Sequence, residues 1–222
     1  MTRLALPLLL LVSLAVAAPV PKADQQRLRA AFGAVPESDD FSATFAGGRF
    51  TLSTKGKAHR SFYDDGKLVA PRTEREVTGD FTLDATLLTT TRPKQDGPKH
   101  DARVQSGVYV RGDTETVCFG KFVRVATTDD GKRTVHDESL WVQHDGSGSR
   151  IDGCAHDEVV RVRLVKAGPT VTGFVRNDKG EWKPAFTKTT RMADEVTVGV
   201  ALLSEVDQAV DATFADFTLS AK

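Results

Sequence analysis

Of the 222 residues only Asn177 is an asparagine, and cysteine, tryptophan, tyrosine and methionine occur twice each. With no Asn-x-Ser/Thr triplet the chain has no acceptor for N-glycosylation. Net charge is also missing, since 30 Lys and Arg balance 30 Asp and Glu. That balance excludes the basic footprint a nucleic-acid partner needs. The five histidines, His59, His100, His136, His144 and His156, show no pair at metal-ligand spacing, so zinc is not expected. Absent too are His-Glu-x-x-His, Gly-x-Ser-x-Gly, a phosphate-cradling Gly-x-x-x-x-Gly-Lys and a dinucleotide fingerprint. After the first residues nothing approaches the ~18 consecutive apolar residues of a membrane helix.

What is present begins with a leader. Arg3 precedes an apolar stretch over residues 4–16, and Ala15-Val16-Ala17 supplies the small-x-small pattern of a cleavage site. Residues 1–17 therefore read as a signal peptide, and the remainder as an exported chain with no membrane span. Export allows a disulfide. Cys118 and Cys154 would close a loop of 35 intervening residues, worth roughly 3–4 kcal/mol by chain entropy; the alternative is two separate buried thiols.

Residues 18–37 form a lead-in with one short helix, N-capped by Asp24, running over 25–32 with Leu28 and Phe32 four apart, and closed by Gly33. Residues 38–221 are a different country, with short β-rich runs and turn signals about every ten residues. Phe81, Leu83, Ala85 and Leu87 alternate with polar residues, and so do Val160, Val162 and Leu164. Asp64-Asp65-Gly66, Asp129-Asp130-Gly131 and Asn177–Gly180 are turns, residues 91–101 an exposed loop, and Gly146-Ser147-Gly148-Ser149 a flexible loop. The expected fold is an all-β, two-sheet antiparallel sandwich with one short N-terminal helix.

Three segments carry a resemblance: Ala70-Pro71-Arg72-Thr73-Glu74-Arg75-Glu76-Val77-Thr78-Gly79-Asp80-Phe81, Ser106-Gly107-Val108-Tyr109-Val110-Arg111, and Thr213-Phe214-Ala215-Asp216-Phe217-Thr218-Leu219. In this order and spacing the chain resembles the DUF1349-like concanavalin A-like jelly-roll family. That family is known mainly from bacteria and is similar to the C-terminal module of some β-xylosidases. The resemblance covers roughly residues 38–220 and implies a concanavalin A-like jelly roll in an exported bacterial protein. It implies little chemistry.

Alternation then nominates a ligand face. If Val108 and Val110 point inward, Tyr109 and Arg111 point outward; Trp141 and Gln143 oppose Leu140 and Val142, and Arg161 and Arg163 oppose Val160 and Val162. Outward aromatic rings and arginines suit the C–H faces and hydroxyls of sugars. Glu74 and Glu76, two apart, are the nearest approach to the paired carboxylates of a retaining glycosidase. The adjacent Asp137-Glu138 and Asp157-Glu158 read as turn charges. No cofactor is required; Asp39 or Asp40 with Asp216 is the candidate pair for a structural Ca²⁺. The reading is an exported non-catalytic binding module for a glycan or envelope component. The alternatives are a glycan-processing hydrolase using Glu74, Glu76 or Arg111, and a structural or protein-interaction domain at the cell envelope.

Overall fold

The computed structural model describes residues 26, 30–59, 63–64, 67–94, 101–127, 134–145 and 147–221. The leader, the N-cap assigned to Asp24 and the turn at 129–131 lie outside the described residues, as do residues 65 and 66 of the turn at 64–66. Among the described residues fifteen strands follow in chain order. They are β1 (Phe41–Ala46), β2 (Arg49–Thr54), β3 (Tyr63–Asp64), β4 (Lys67–Leu68), β5 (Arg75–Thr78), β6 (Phe81–Thr90), β7 (Asp101–Arg111) and β8 (Thr116–Thr127). Then come β9 (Thr134–His144), β10 (Ser147–Gly153), β11 (Val160–Ala167), β12 (Thr170–Arg176), β13 (Trp182–Thr189), β14 (Glu195–Ser204) and β15 (Asp211–Ala221).

All pairings between the strands are antiparallel and build two large sheets. One has seven strands in the order β1-β2-β15-β6-β11-β12-β13, the other six in the order β10-β9-β8-β7-β14-β5; β3 and β4 pair separately. Each sheet offers its apolar parity to the other. Phe81, Leu83, Ala85 and Leu87 of β6 and Val160, Val162 and Leu164 of β11 meet Val108 and Val110 of β7 and Val198, Val200 and Leu202 of β14 in one core. This is the two-sheet sandwich that the alternation predicts.

Two local devices keep the parity in phase. In β15 the register slips between Ala215 and Thr218, and Asp216 takes a φ of +50°. The extra residue lets both Phe214 and Phe217, three apart, point into the core. Asp216 is held there by Thr86, whose hydroxyl donates to Oδ2 at 3.0 Å. At the N-terminal end residues 30–32 are helical and Gly33 closes the turn with φ +92°. A Cβ at Gly33 would stand 2.3 Å from Glu74 O, so glycine is required by space as well as by conformation. Phe32 then packs on Phe50 and Phe217, at centroid distances of 4.7 and 5.1 Å.

Several expectations need correction. Ser147, Gly148 and Ser149 are strand residues of β10, paired with β9. Asp137 and Glu138 lie within β9, not in a turn. Cys118 and Cys154 are both free and buried. They cannot be bridged, because Cys154 belongs to the inter-sheet core while Cys118 packs on the outer face of the six-stranded sheet with Tyr109, Ala201 and Leu203. Desolvation raises both thiols, Cys118 to about 12 and Cys154 to about 11.

Candidate functional site: a cleft on the outer face of the six-stranded sheet

The odd-numbered residues of β7 turn away from the core. In register across the sheet, Gln105 pairs with Phe122 and Phe122 with Ser139; Gly107 pairs with Gly120 and Gly120 with Trp141; Tyr109 pairs with Cys118 and Cys118 with Gln143. On the row of Trp141, β8 and β7 on one side therefore contribute only glycines, while β10 on the other side contributes Arg150. On the β8 side no side chain rises beside the indole in its own row, and it stacks instead on its diagonal neighbour Phe122, with centroids 4.8 Å apart and planes at 22°. On the other side Gly148 makes room, since a Cβ at that position would lie 2.0 Å from Trp141 Nε1.

This arrangement opens a cleft of about 260 Å³ that runs across β10, β9, β8, β7 and the end of β14. Phe122, Trp141 and Leu203 give it an apolar patch, and Gln105, Gln143 and Ser204 are polar. Arg103, Arg124, Asp137 and Glu205 form its charged rim. Gln105 is only 7 % exposed, yet its Nε2 has no hydrogen-bond partner, and Gln143 Oε1 is likewise buried and unpartnered. An unmatched buried amide donor or acceptor costs about 1–3 kcal/mol, so such groups mark where a polar ligand repays the most.

The rim charges are mutually compensated. Asp101 accepts from Arg103 Nη2 at 2.6 Å and from Arg124 Nε at 2.8 Å. Burial pushes its carboxyl up, but the bonds from the two guanidiniums outweigh that and set it at about 2. Arg150 pairs with Asp137 at 3.2 Å and Arg103 with Glu205 at 3.7 Å. The cleft can thus offer oriented donors and acceptors beside an aromatic plane without a strong net field.

Of the six side chains nominated from sequence, Trp141 and Gln143 line this cleft. Tyr109 has the expected face but is fully buried, because residues 70–74 lie over it. Its hydroxyl donates to Thr73 O at 2.6 Å, and Gly199 leaves the backbone room: a Cβ there would meet Thr73 O at 2.2 Å. Burial, the largest influence, raises the phenol's pKa. Arg111 lies outside the cleft, donating to Thr197 Oγ1 at 3.2 Å and standing 3.8 Å from Glu74 Oε1. Arg161 and Arg163 belong to β11 in the other sheet, so they face the opposite side of the sandwich. There Arg163 grips Asp84 with two bonds of 2.6 and 2.7 Å and lies 4.2 Å over the ring of Trp182.

The glutamates and the calcium candidates are also placed. Glu74 is bound by Arg72 at 2.7 Å, and Glu76 is exposed beside Arg111; neither lines the cleft. Asp40 sits by Lys55 at one end of β2 and pairs with Lys57 at 2.7 Å. Asp216 lies past Phe214, which pairs with Phe50 at the other end. The four residue steps from Thr54 to Phe50 separate the two levels by roughly 13 Å, so Asp39 and Asp40 do not come together with Asp216 around one ion.

Nine of the eleven cleft residues were not nominated as ligand residues from sequence, among them the four on β7 and β8, Arg103, Gln105, Phe122 and Arg124. Their signal was available, since Arg103 and Gln105 share the parity of Tyr109, and Phe122 and Arg124 the parity opposite to the inward Phe119.

No family model and no curated protein matches the chain. Solved structures do share its fold. A functionally unknown protein from Saccharomyces cerevisiae aligns with TM-score 0.56 and 17% identity over 82% of this chain and 92% of its own. The PL7 alginate lyase AlyA1 from Zobellia galactanivorans gives 0.50 and 13% over 84% and 83%. An alginate lyase from Corynebacterium sp. gives 0.51 and 10% over 85% and 83%. The fold is that of the concanavalin A-like jelly rolls. No described helix is long and apolar enough to cross a membrane.

Proposed function

We propose that the chain is an exported, non-catalytic carbohydrate-binding module of DUF1349-like type, and that a saccharide occupies the cleft over Phe122 and Trp141. The observation that carries this reading is the pairing of an aromatic plane with unmatched buried amides. A pyranose presents a C–H face that stacks on an indole and, at its edge, hydroxyls that both donate and accept. Gln105 Nε2 and Gln143 Oε1 are a donor and an acceptor of that kind. Two of the solved structures with this fold are named as alginate lyases, which fits a jelly-roll cleft that holds sugar chains. The absence of a catalytic role is argued from the rim: Asp137 and Glu205 are each tied to an arginine.

The test is isothermal titration and thermal shift of the purified protein against neutral and acidic oligosaccharides, with a reducing-end assay on the same mixtures. One saccharide class should bind and raise the unfolding midpoint; at 100 times Kd the stabilisation is about 2.7 kcal/mol. Trp141→Ala should weaken binding at least about tenfold, the roughly 1.4 kcal/mol expected of a lost stacking plane. Binding that ignores the substitution would refute the site, and newly released reducing ends would replace the binding module with a hydrolase.

A further inference from the structure

At one end of the six-stranded sheet the turn between β7 and β8 meets the turn between β9 and β10. Asp145 N donates to Thr116 O at 3.2 Å, and Thr116 N donates to Asp145 Oδ1 at 2.9 Å. Glu115, on the first turn, accepts from Arg191 N through Oε2 at 2.5 Å. Each carboxylate is therefore fixed by a backbone amide on one oxygen and keeps its other oxygen for something else. His144, the last residue of β9, joins them. Its Nε2 is shut off from solvent and makes no hydrogen bond, and it lies 3.5 Å from Asp145 Oδ2.

The three side chains each offer one ligand atom, and these atoms all lie within 4.8 Å of one another. Ligands at about 2.0–2.2 Å from a single ion stand roughly 3–4 Å apart, so a small contraction of this cluster would close a coordination sphere. Among the described residues no other group of three or more such side chains comes so close together. We infer that Glu115, His144 and Asp145 form a binding site for a divalent transition ion of the Zn²⁺ type. An imidazole nitrogen with two carboxylate oxygens suits that class, whereas a hard ion such as Ca²⁺ selects oxygens alone. The hydrogen bonds that the backbone amides of Thr116 and Arg191 donate to the two carboxylates serve as outer-shell partners, orienting the ligands before the ion arrives. The site takes three protein ligands and keeps further positions for water.

The ion would act as a clamp. It joins the turn after β7 to the turn after β9, and the β9–β10 hairpin carries Gly148, on which the Trp141 indole depends for its place. The inference rests on none of the cleft's proposed chemistry, and its test does not involve a saccharide.

Titration of the metal-free protein with ZnCl₂ should give one equivalent bound, and CoCl₂ should produce the visible absorption of a low-coordinate Co²⁺ site. Backbone amide exchange around residues 144–150 should slow when Zn²⁺ is present. Glu115→Gln and Asp145→Asn keep the size of each side chain and an oxygen for the bond from Arg191 N or Thr116 N, and asparagine tolerates the φ of +48° at position 145. Each should weaken Zn²⁺ binding at least tenfold, and the two together should abolish the Co²⁺ absorption, with circular dichroism unchanged. CaCl₂ at the same concentration should not compete. The inference is overturned if the wild-type protein fails to bind Zn²⁺ below the millimolar range, or if the double variant binds it as the wild type does.

Discussion

Lys121 is where the sandwich can be tested most sharply. It lies on β8 at an inward position, paired with Ser106 and Leu140, and is 1 % exposed. A lysine at such a place needs three acceptors for its three donors, and it has them. Nζ donates to Leu88 O at 2.9 Å, to His156 O at 3.1 Å and to Glu158 O. The ammonium thus ties the turn at 155–158 to the end of β6. Replacing it by methionine keeps the length of the stem and removes every donor. Three charge-assisted bonds are worth roughly 4–9 kcal/mol in gross terms, against which stands the several kcal/mol saved by no longer burying an ion. All three carbonyls lose this donor, and only His156 O keeps a second one, the Thr90 amide at 2.9 Å, so Lys121→Met should destabilise the fold by about 3 kcal/mol.

Urea unfolding followed by circular dichroism measures this directly. With a slope of about 2 kcal/mol/M the midpoint should fall by roughly 1.5 M. The pH dependence supplies a second readout. Burial holds the Lys121 pKa below its ordinary 10.5, against the pull of Glu158, Asp157 and Glu138. The folded chain therefore releases this proton before the unfolded chain does, and stability gains from this group as pH rises towards 10.5. The neutral amine still has two donors, which methionine lacks, so the variant stays less stable and loses that slope. A midpoint within about 0.3 M of wild type would refute the reasoning, because it would mean that the three bonds do no more than offset the cost of burying the charge.

The remaining predictions concern charge and sulfur. Asp101→Asn should cost about 1 kcal/mol at pH 7, the value expected for a carboxylate that is 38% exposed and so partly screened. Its folded pKa of about 2 lies below the unfolded 3.8, so the wild type's advantage is complete above 3.8 and fades as pH falls through about 2; an equal gap at pH 7 and pH 2 would contradict the assignment. A thiol reagent should find no reactive cysteine in the native protein and two after denaturation, and a reductant should leave the thermal midpoint unchanged. A midpoint that falls on reduction would restore the bridge between Cys118 and Cys154.

Much of the architecture was legible because alternation is a physical constraint. A strand between two sheets must send one parity inward, and the runs Phe81 to Leu87, Val108 to Val110 and Val160 to Leu164 each declared that parity through their apolar residues. Turns read equally well where a backbone conformation demands a residue type, as at Gly33 and Gly180. Ser147 to Ser149 breaks the expectation for the same reason: a run of glycine and serine looks like a loop, but Gly148 is a strand residue chosen because the indole of Trp141 occupies the space of its Cβ.

Parity says which way a side chain leaves its strand, and two further facts decide whether it can meet a ligand. One is the sheet to which the strand belongs. Arg161 and Arg163 are as outward as Trp141, but β11 joins β6 and β12 in the seven-stranded sheet, so their outward direction is the opposite one. The other is what lies on top. Tyr109 and Gln105 point the same way from the same strand, two positions on either side of Gly107. Residues 70–74 cover the first, and Thr73 O takes its hydroxyl, while the second reaches the cleft with its amide unmatched. Both facts are long-range, the first set by the pairing of β11 with β6 and the second by the pairing of β14 with residues 72–78. A ligand face in a sandwich therefore has to be argued from sheet order and from the crossing segments as much as from alternation, and here those two facts remove Tyr109, Arg161 and Arg163 from the candidate site, keep Trp141 and Gln143, and add Gln105 and Phe122.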